Sequence, residues 1–179
     1  MKLRLFPVVI LLFLSVFTAF SQEDLNTFRF SRISMQFEFP SKKVKGSFKE
    51  FELPQSVSLA SFKGKDWKAT IEVSSIKTGN GIRDWHLMSA KYFNRKEHPK
   101  MTFIGTDWEE MRKGYTLTGD LTIKGVTRPI NLRIMPDYPS RNRYVATGSL
   151  NSADYGIWIK KKKEENIVKI KMSFDLVEN

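Results

Sequence analysis

Apolar and polar residues alternate along most of the chain, which is the pattern of β-strands with one buried face. In residues 114–123, Leu117, Leu121 and Ile123 share one phase, while threonines and Asp120 take the other. Similar runs predict an all-β protein of about eight antiparallel strands, separated by turns that contain Gly, Pro or Asn. One phase is apolar and the other polar or charged, which suits a soluble barrel with an apolar interior. A transmembrane barrel would need an apolar outer band instead.

Two stretches depart from simple alternation. The first strand changes phase between Phe30 and Ile33, which predicts a β-bulge. Residues 65–78 predict one long strand, and Val57 with Leu59 predicts a short one. The last strand has a polar face that we expect to meet water, formed by Lys169, Lys171, Ser173 and Asp175.

One segment turns helical. Gly79-Asn80-Gly81 predicts a turn, since Gly and Asn tolerate positive φ. Trp85, Met88 and Tyr92 then follow at i, i+3 and i+7, which predicts a short helix over about 83–93 with these residues on one apolar face. Such a helix suits the end of a barrel as a plug or lid.

Two sequence blocks carry a family resemblance. The first comprises Ser75-Ile76, Thr78, Arg83-Asp84, His86-Leu87, Phe93, Pro99 and Phe103, and the second comprises Gly119, Leu121–Ile123, Gly125–Thr127, Pro129 and Leu132. Together they resemble the signature of the YceI-like polyisoprenoid-binding family. A third block, from Asn151 to Ile157, departs from the family pattern at Ser152 and Tyr155. The resemblance spans nearly all of residues 22–179 and implies a lipocalin-like antiparallel barrel with a long apolar lipid in its lumen.

The first 21 residues predict a secretory signal peptide. Lys2 and Arg4 precede an apolar run over residues 8–17, and the small residues Ala19 and Ser21 fit cleavage before Gln22. The run is short for a membrane span, which needs ~20 apolar residues. We therefore expect a periplasmic or secreted protein whose single domain covers residues 22–179. The chain has no cysteine, so its core must form without disulfides.

The apolar phase of the strands and the predicted helix supply the candidate lumen. Small residues on that phase either leave room for a ligand or accommodate large neighbours; the resemblance favours a ligand, an isoprenoid or fatty-acyl chain. The candidate ligand-binding residues are Phe37, Phe48, Trp67, Ile71, Leu87, Phe93, Phe103, Leu117, Leu121, Ile123, Leu132, Tyr144, Ile170 and Met172.

Polar chemistry is sparse and concentrates on the predicted helix. Arg83, Asp84 and His86 are expected to pin the helix to the barrel, and binding of a polar lipid head is the alternative. An enzyme acting on the lipid, with His86 and Asp84 as acid and base, is a further alternative. The sequence has no G-x-S-x-G elbow, phosphate-cradling loop or ligand spacing for a metal. We expect a protein that is not an enzyme and has no cofactor or metal.

The chain is basic, with a formal charge of +11 that falls to +9 when Lys2 and Arg4 leave with the signal peptide. This charge suits an anionic membrane surface as a partner. No nucleic-acid-binding motif is present. The run Lys160–Lys163 is expected to be a solvated hairpin, with an anion site as the alternative. A basic interaction module with a filled barrel is the third function left open, and the oligomeric state is open too, a homodimer included.

Overall fold

A computed structural model describes residues 27–58 and 67–178. The predicted signal peptide, the cleavage site and Leu59 lie outside the described residues. One helix, α1, spans Gly81–Leu87, and short 3-10 turns lie at Pro40–Lys42, Val73–Ser75, Ser152–Tyr155 and Lys163–Glu165. The strands are β1 (Thr27–Phe39), β2 (Val44–Phe48), β3 (Phe51–Glu52), β4 (Val57–Ser58), β5 (Lys68–Glu72), β6 (Ile76–Lys77), β7 (Lys100–Met111), β8 (Gly114–Ile123), β9 (Val126–Pro136), β10 (Arg143–Asn151) and β11 (Ile167–Glu178).

The strands form one antiparallel sheet that curls into a barrel. The order across the sheet is β3-β5-β7-β8-β9-β10-β11-β1-β2-β6, and β4 pairs with β1. The two ends of this order meet, because β2 continues directly into β3 and β5 continues through a 3-10 turn into β6. If each of these pairs is counted as one interrupted strand, the barrel wall has eight strands in addition to the short β4. We call these eight continuous or interrupted strands staves. The prediction of an antiparallel barrel of about eight strands with one short helix is confirmed.

The phase change in the first strand is a bulge, as the sequence predicted. Ser31 pairs with Asp175 and Ser34 with Ser173, so β1 has one residue more than β11 between these pairs. Arg32 takes φ 44° at this point. The bulge restores the apolar phase, and the residues after it point into the barrel again.

The stave predicted over residues 65–78 is interrupted. Val73–Ser75 form a 3-10 turn in which the Ser75 hydroxyl donates to the carbonyl of Glu72 at 2.7 Å. The Lys49 amide donates to Ser75 Oγ across the stave at 3.2 Å. Sequence alternation missed the turn because buried residues occur on both sides of it. The turn separates β5 from β6, and the chain then leads into α1.

The polar face of β11 does not wholly meet water, contrary to expectation. Lys169 and Lys171 are exposed, but Ser173 and Asp175 are buried. The guanidinium of Arg32, placed by the bulge, forms an ion pair with Asp175. Arg143 lies on the other side of the same carboxylate, with Nη1 3.4 Å from Oδ1. Pairing with two cations offsets the cost of burying that charge.

Helix α1 starts earlier and ends earlier than the predicted 83–93 segment. The Asn80 side chain caps it by accepting from the Arg83 amide at 3.0 Å, and residues after Leu87 continue as turns. The prediction that Trp85 lies on the inner face is wrong, since its side chain is 67% exposed. Within the described ranges 27–58 and 67–178, no helix has the length and apolar content needed to cross a bilayer.

The two ends of the barrel differ. At one end, a cluster that we call the aromatic plug consists of Phe30, Trp67, Trp108, Tyr115, Tyr144 and Phe174. Its ring centroids are 4.5 Å apart for Trp108 and Tyr115 and 5.1 Å apart for Phe30 and Trp67. The opposite end, which we call the mouth, consists of residues 40–43, 78–99, 124–125 and 152–166. Hydrogen bonds tie its parts together, such as Ser41 Oγ to the Glu165 carbonyl at 2.7 Å.

Candidate functional site

The barrel interior contains two small apolar cavities in line. The mouth-side cavity has a volume of about 120 Å³ and lies beneath α1 and the residue 152–159 segment. The plug-side cavity has a volume of about 80 Å³ and ends against Trp67. Both are lined by Met35, Ile71, Leu121 and Ile170, which form a waist between them. Together they make one two-lobed lumen along the barrel.

Aromatic rings occupy much of the room that small residues create. A Cβ built on Gly119 would lie 2.3 Å from Cζ of Phe103, and one on Gly46 would lie 2.3 Å from Cζ of Phe37. These glycines accommodate large neighbours, which is the second of the two interpretations that the sequence left open. Because these rings fill the space beside the glycines, the lumen is narrower than the small residues on its inner face would suggest.

Thirteen of the fourteen predicted lumen residues line one of the two lobes. The exception is Tyr144, whose ring stacks on Phe174 in the aromatic plug with centroids 5.9 Å apart. Contact between these residues and a ligand stays a prediction. The mouth-side lobe is lined by Phe37, Phe48, Leu87, Phe93 and Ile123, the plug-side lobe by Trp67, Phe103, Leu117, Leu132 and Met172, and both by Ile71, Leu121 and Ile170.

Sequence reasoning missed part of the mouth-side lining. Tyr155, Ile157 and Ile159 reach the lumen from the segment between β10 and β11, which has no strand pattern. Met35 and Phe39 also line it, and the alternation with Phe37 could have identified them. Alternation could not have identified Tyr155, Ile157 and Ile159, because residues in turns do not alternate between an inner and an outer face. Their position in the lumen lining is set by the tertiary fold.

The side chains of Arg83 and Asp84 both form hydrogen bonds with Thr78, the last residue before the turn into α1. Oδ1 of the buried Asp84 accepts from the Thr78 amide at 2.9 Å and from its hydroxyl at 2.5 Å. Arg83 donates through Nε to Thr78 Oγ1 at 2.8 Å and through Nη2 to the Thr78 carbonyl at 2.7 Å. This geometry fits the pinning interpretation, because both side chains are already engaged in fixing the helix to β6.

His86 does not join this cluster. Its ring is exposed and lies beside Trp85, with centroids 5.3 Å apart, whereas Asp84 is only 6% exposed. An acid–base pair needs both groups at one reacting centre, and the structure directs these two side chains to different surroundings. In the described part of the chain, no group of three His, Asp or Glu side chains is placed to hold a metal ion.

Tyr155 connects the lumen to a gap in the barrel wall. Pairing between β9 and β10 stops at Thr147 and Arg133, and a recess of about 440 Å³ follows, lined in part by Arg128 and Tyr155. Burial raises the pKa of the Tyr155 phenol, the nearby Asp154 raises it further, and Arg128 opposes the shift. The phenol is therefore neutral at ordinary pH.

A larger recess, of about 1280 Å³, lies on the outer wall and not in the lumen. Register places Lys77, Ser47, Gln36, Lys171 and Thr147 in one row across five staves of that wall. These five outward side chains are polar or charged, whereas apolar side chains form nearly all of the lining of the two lobes. The lumen is therefore the better candidate for an apolar ligand.

A barrel with an apolar two-lobed interior, plugged at one end and covered by a short helix at the other, defines a lipocalin-like class of protein. The YceI-like domain model matches residues 24–176. The chain belongs to the YceI-like family. It is 33% identical over 146 residues to a UPF0312 protein of Staphylococcus aureus, an alignment that covers 74% of this chain and 83% of that protein.

Solved structures share the fold. Burkholderia cenocepacia BcnA superposes with a TM-score of 0.69 at 17% identity, covering 81% of this chain and 96% of that one. A polyisoprenoid binding domain from Saccharophagus degradans gives a TM-score of 0.55 at 13% identity, covering 86% of this chain and 98% of that one. At these identities the likeness concerns the fold alone.

Proposed function

We propose that the protein is a non-enzymatic, exported lipid-binding protein that holds a long apolar chain, a polyisoprenoid or fatty-acyl compound, in its lumen. The observation that carries this proposal is the continuous apolar lining of the two lobes, which meet at Met35, Ile71, Leu121 and Ile170. The polyisoprenoid binding domain from Saccharophagus degradans, which has the same fold, supports the choice of ligand class.

Burial of methylene groups supplies the affinity. Each methylene transferred from water to an apolar site contributes ~0.8 kcal/mol, so a long chain needs few polar contacts. Pockets that hold drug-sized ligands usually have volumes of about 300–1,000 Å³, larger than the two lobes. Uptake of a long chain therefore requires the lumen to widen. We place this widening at the mouth, because Leu87 lines the lobe from α1, and Phe93 and Ile159 line it from turns and bends, so none of the three lies in a paired strand.

The proposal also includes a cellular location and a membrane partner. The predicted signal peptide would direct the protein to the periplasm or outside the cell, and its basic charge would favour an anionic membrane surface as the source or acceptor of lipid. Arg83 would bind a polar head only by giving up its bonds to Thr78. A structural role for that side chain is therefore preferred.

Leu121→Gln tests the lumen. Leu121 lies at the waist, and an amide there has no evident partner, so it should lower the affinity for a fluorescent polyene and also the stability. Asp120→Asn, one residue away on the outer face, is the matched control and should change neither. Native mass spectrometry of the purified protein should show a non-covalent adduct of lipid mass. Loss of polyene binding in Asp120→Asn but not in Leu121→Gln would reverse inside and outside and reject the proposal.

A further inference from the structure

Exposed apolar side chains concentrate at the mouth. Among the described residues, six large hydrophobic side chains are exposed: Ile82, Trp85, Ile104, Tyr138, Trp158 and Ile167. Ile82 and Trp85 lie on α1, Trp158 lies in the segment between β10 and β11, and Ile167 begins β11 at the same end. The exposed fractions are 73% for Ile82, 67% for Trp85 and 49% for Trp158. An aromatic ring held in water at a rim is the arrangement that suits a membrane interface.

The mouth also carries net positive charge. Its segments, residues 40–43, 78–99, 124–125 and 152–166, carry eleven Lys or Arg and five Asp or Glu, a balance of +6. One mouth carboxylate, Asp84, is buried and engaged with Thr78, and another, Asp154, is paired with Lys163 at 2.7 Å. The exposed mouth is therefore basic as well as apolar.

The loop that carries Trp158 is held by a fully buried asparagine. Oδ1 of Asn166 accepts from the amides of Ile159 and Lys160, each at 2.9 Å. Its Nδ2 donates to the carbonyls of Lys160 and Lys162 at 3.1 Å and 2.8 Å. These bonds fix the loop so that Ile159 lines the lumen while Trp158 faces outward. The exposure of Trp158 is thus built into the fold.

The same division occurs on the other side of the mouth. Leu87 of α1 lines the lumen, while Trp85 faces water. The bonds from Arg83 and Asp84 to Thr78 hold the helix in that rotation. Two separate elements therefore present an outward tryptophan beside an inward lumen residue at the same end of the barrel.

We propose that the mouth is a docking surface for an anionic lipid bilayer, in which Trp85 and Trp158 enter the interface and the lysines around Lys160–Lys163 meet the headgroups. Docking would bring the lumen opening against the bilayer, so that an apolar chain could pass without crossing water. The purpose of docking rests on the proposed function, whereas docking itself is measured separately. The outer-wall lysines fit a bilayer less well, because the described residues of that wall recess include no exposed aromatic side chain.

Cosedimentation with vesicles tests the proposal. The protein from Gln22 onward, which contains the family-matched region, should bind vesicles of equal phosphatidylglycerol and phosphatidylcholine and fail to bind phosphatidylcholine alone. The double variant Trp85→Ser with Trp158→Ser should bind at least tenfold more weakly. Tyr138→Ser is its control, because Tyr138 is exposed at the plug end. Failure of the unaltered protein to bind the anionic vesicles would overturn the proposal.

A charge-matched pair separates docking from diffuse attraction. Lys160→Gln, Lys161→Gln and Lys162→Gln together remove three charges from the mouth, and Lys45→Gln, Lys169→Gln and Lys171→Gln remove three from the outer wall. The mouth variant should lose roughly tenfold more binding than the wall variant. Equal losses would refute the mouth as the docking surface.

Lumen occupancy is measured on the same variants without vesicles. Both mouth variants should keep polyene affinity in solution, because their changed side chains face outward. Vesicle binding without polyene binding would support docking and reject the lipid-binding lumen. Polyene binding without vesicle binding would support the lipid-binding lumen and reject docking.

Discussion

A single buried carboxylate, that of Asp84 in α1, accepts two hydrogen bonds from Thr78, and we expect these bonds to hold the helix in place. Asp84→Ala removes the acceptor of both the amide and the hydroxyl of Thr78. Because the two buried donors would lose their partner, we expect the free energy of unfolding to fall by ~1–3 kcal/mol. Urea denaturation measures this, and lumen ligand should restore part of the loss by mass action. Asp120→Ala, at an exposed site of the same residue type, is the control, and an unchanged midpoint for Asp84→Ala would contradict the pin.

We expect ionisation of Tyr155 to lower the stability of the fold at alkaline pH. Because burial raises its pKa in the fold, the phenol ionises first in the unfolded chain, at about pH 10. The folded protein then retains a proton that the unfolded chain has lost, so stability falls as the pH rises above about 10.

Tyr155→Phe removes this dependence. Urea denaturation at pH 8 and at about pH 11 should show a smaller loss of stability in the variant than in the unaltered protein. Some loss should remain, since burial also raises the pKa of Tyr115. Equal losses in the two proteins would show that Tyr155 does not titrate differently in the fold.

At the scale of an element, β7 and β8 approach so closely that Gly119 cannot be replaced without strain. The Cβ of Gly119→Ala would lie 2.3 Å from Cζ of Phe103 and 2.6 Å from the Ile104 carbonyl. We expect a loss of ~1–3 kcal/mol by urea denaturation.

A second change tests the cause of that loss. Phe103→Leu added to Gly119→Ala should recover part of the stability, because the ring contact goes while the carbonyl contact remains. Gly81→Ala is the control, since a Cβ there meets no atom within 4 Å. The clash would be refuted if Gly119→Ala behaved like Gly81→Ala.

Strands were easier to predict from the sequence than the helix. The bulge of β1 is visible as a phase change because alternation has a period of two, and one extra residue inverts it. The helix lacks such a check. The spacing of Trp85, Met88 and Tyr92 fits a helical face, yet α1 ends at Leu87, so these three residues do not share one helix. Trp85 faces water, whereas Leu87 of the same helix lines the lumen.

For the whole molecule, the four tryptophans divide between the two ends of the lumen. Trp67 and Trp108 lie in the aromatic plug, and Trp85 and Trp158 lie at the mouth. An ionised lipid head resists burial in an apolar lumen. A bound fatty acid should therefore keep its carboxylate at the mouth and place its last carbon near the plug.

Fluorescence quenching measures that orientation. In a Trp85→Phe, Trp158→Phe background, a fatty acid brominated at its terminal carbon should quench the remaining tryptophans more than one brominated next to the carboxylate. In the converse Trp67→Phe, Trp108→Phe background, the order should reverse. The same order of quenching in both backgrounds would contradict a single orientation.

The lumen was predictable from the sequence in position but not in size. Leu121 and Ile170 were assigned to the inward phase of their strands, and both line the two lobes, because closing an alternating sheet leaves only one dry side. Its volume depends on how rings such as Phe103 and Phe37 fill the space over Gly119 and Gly46. Cross-strand packing of that kind is a property of the closed barrel and has no signature in a single strand.

The aromatic plug limits how lipid could be transferred under the proposed function. Because stacked rings fill the end of the barrel opposite the mouth, a chain that enters at the mouth would not pass out along the barrel axis. The protein would then dissociate from a donor membrane before it reaches an acceptor, and would not conduct lipid while bridging the two. Slow dissociation from either membrane would limit such transfer, so short-lived membrane binding would serve the proposed function best.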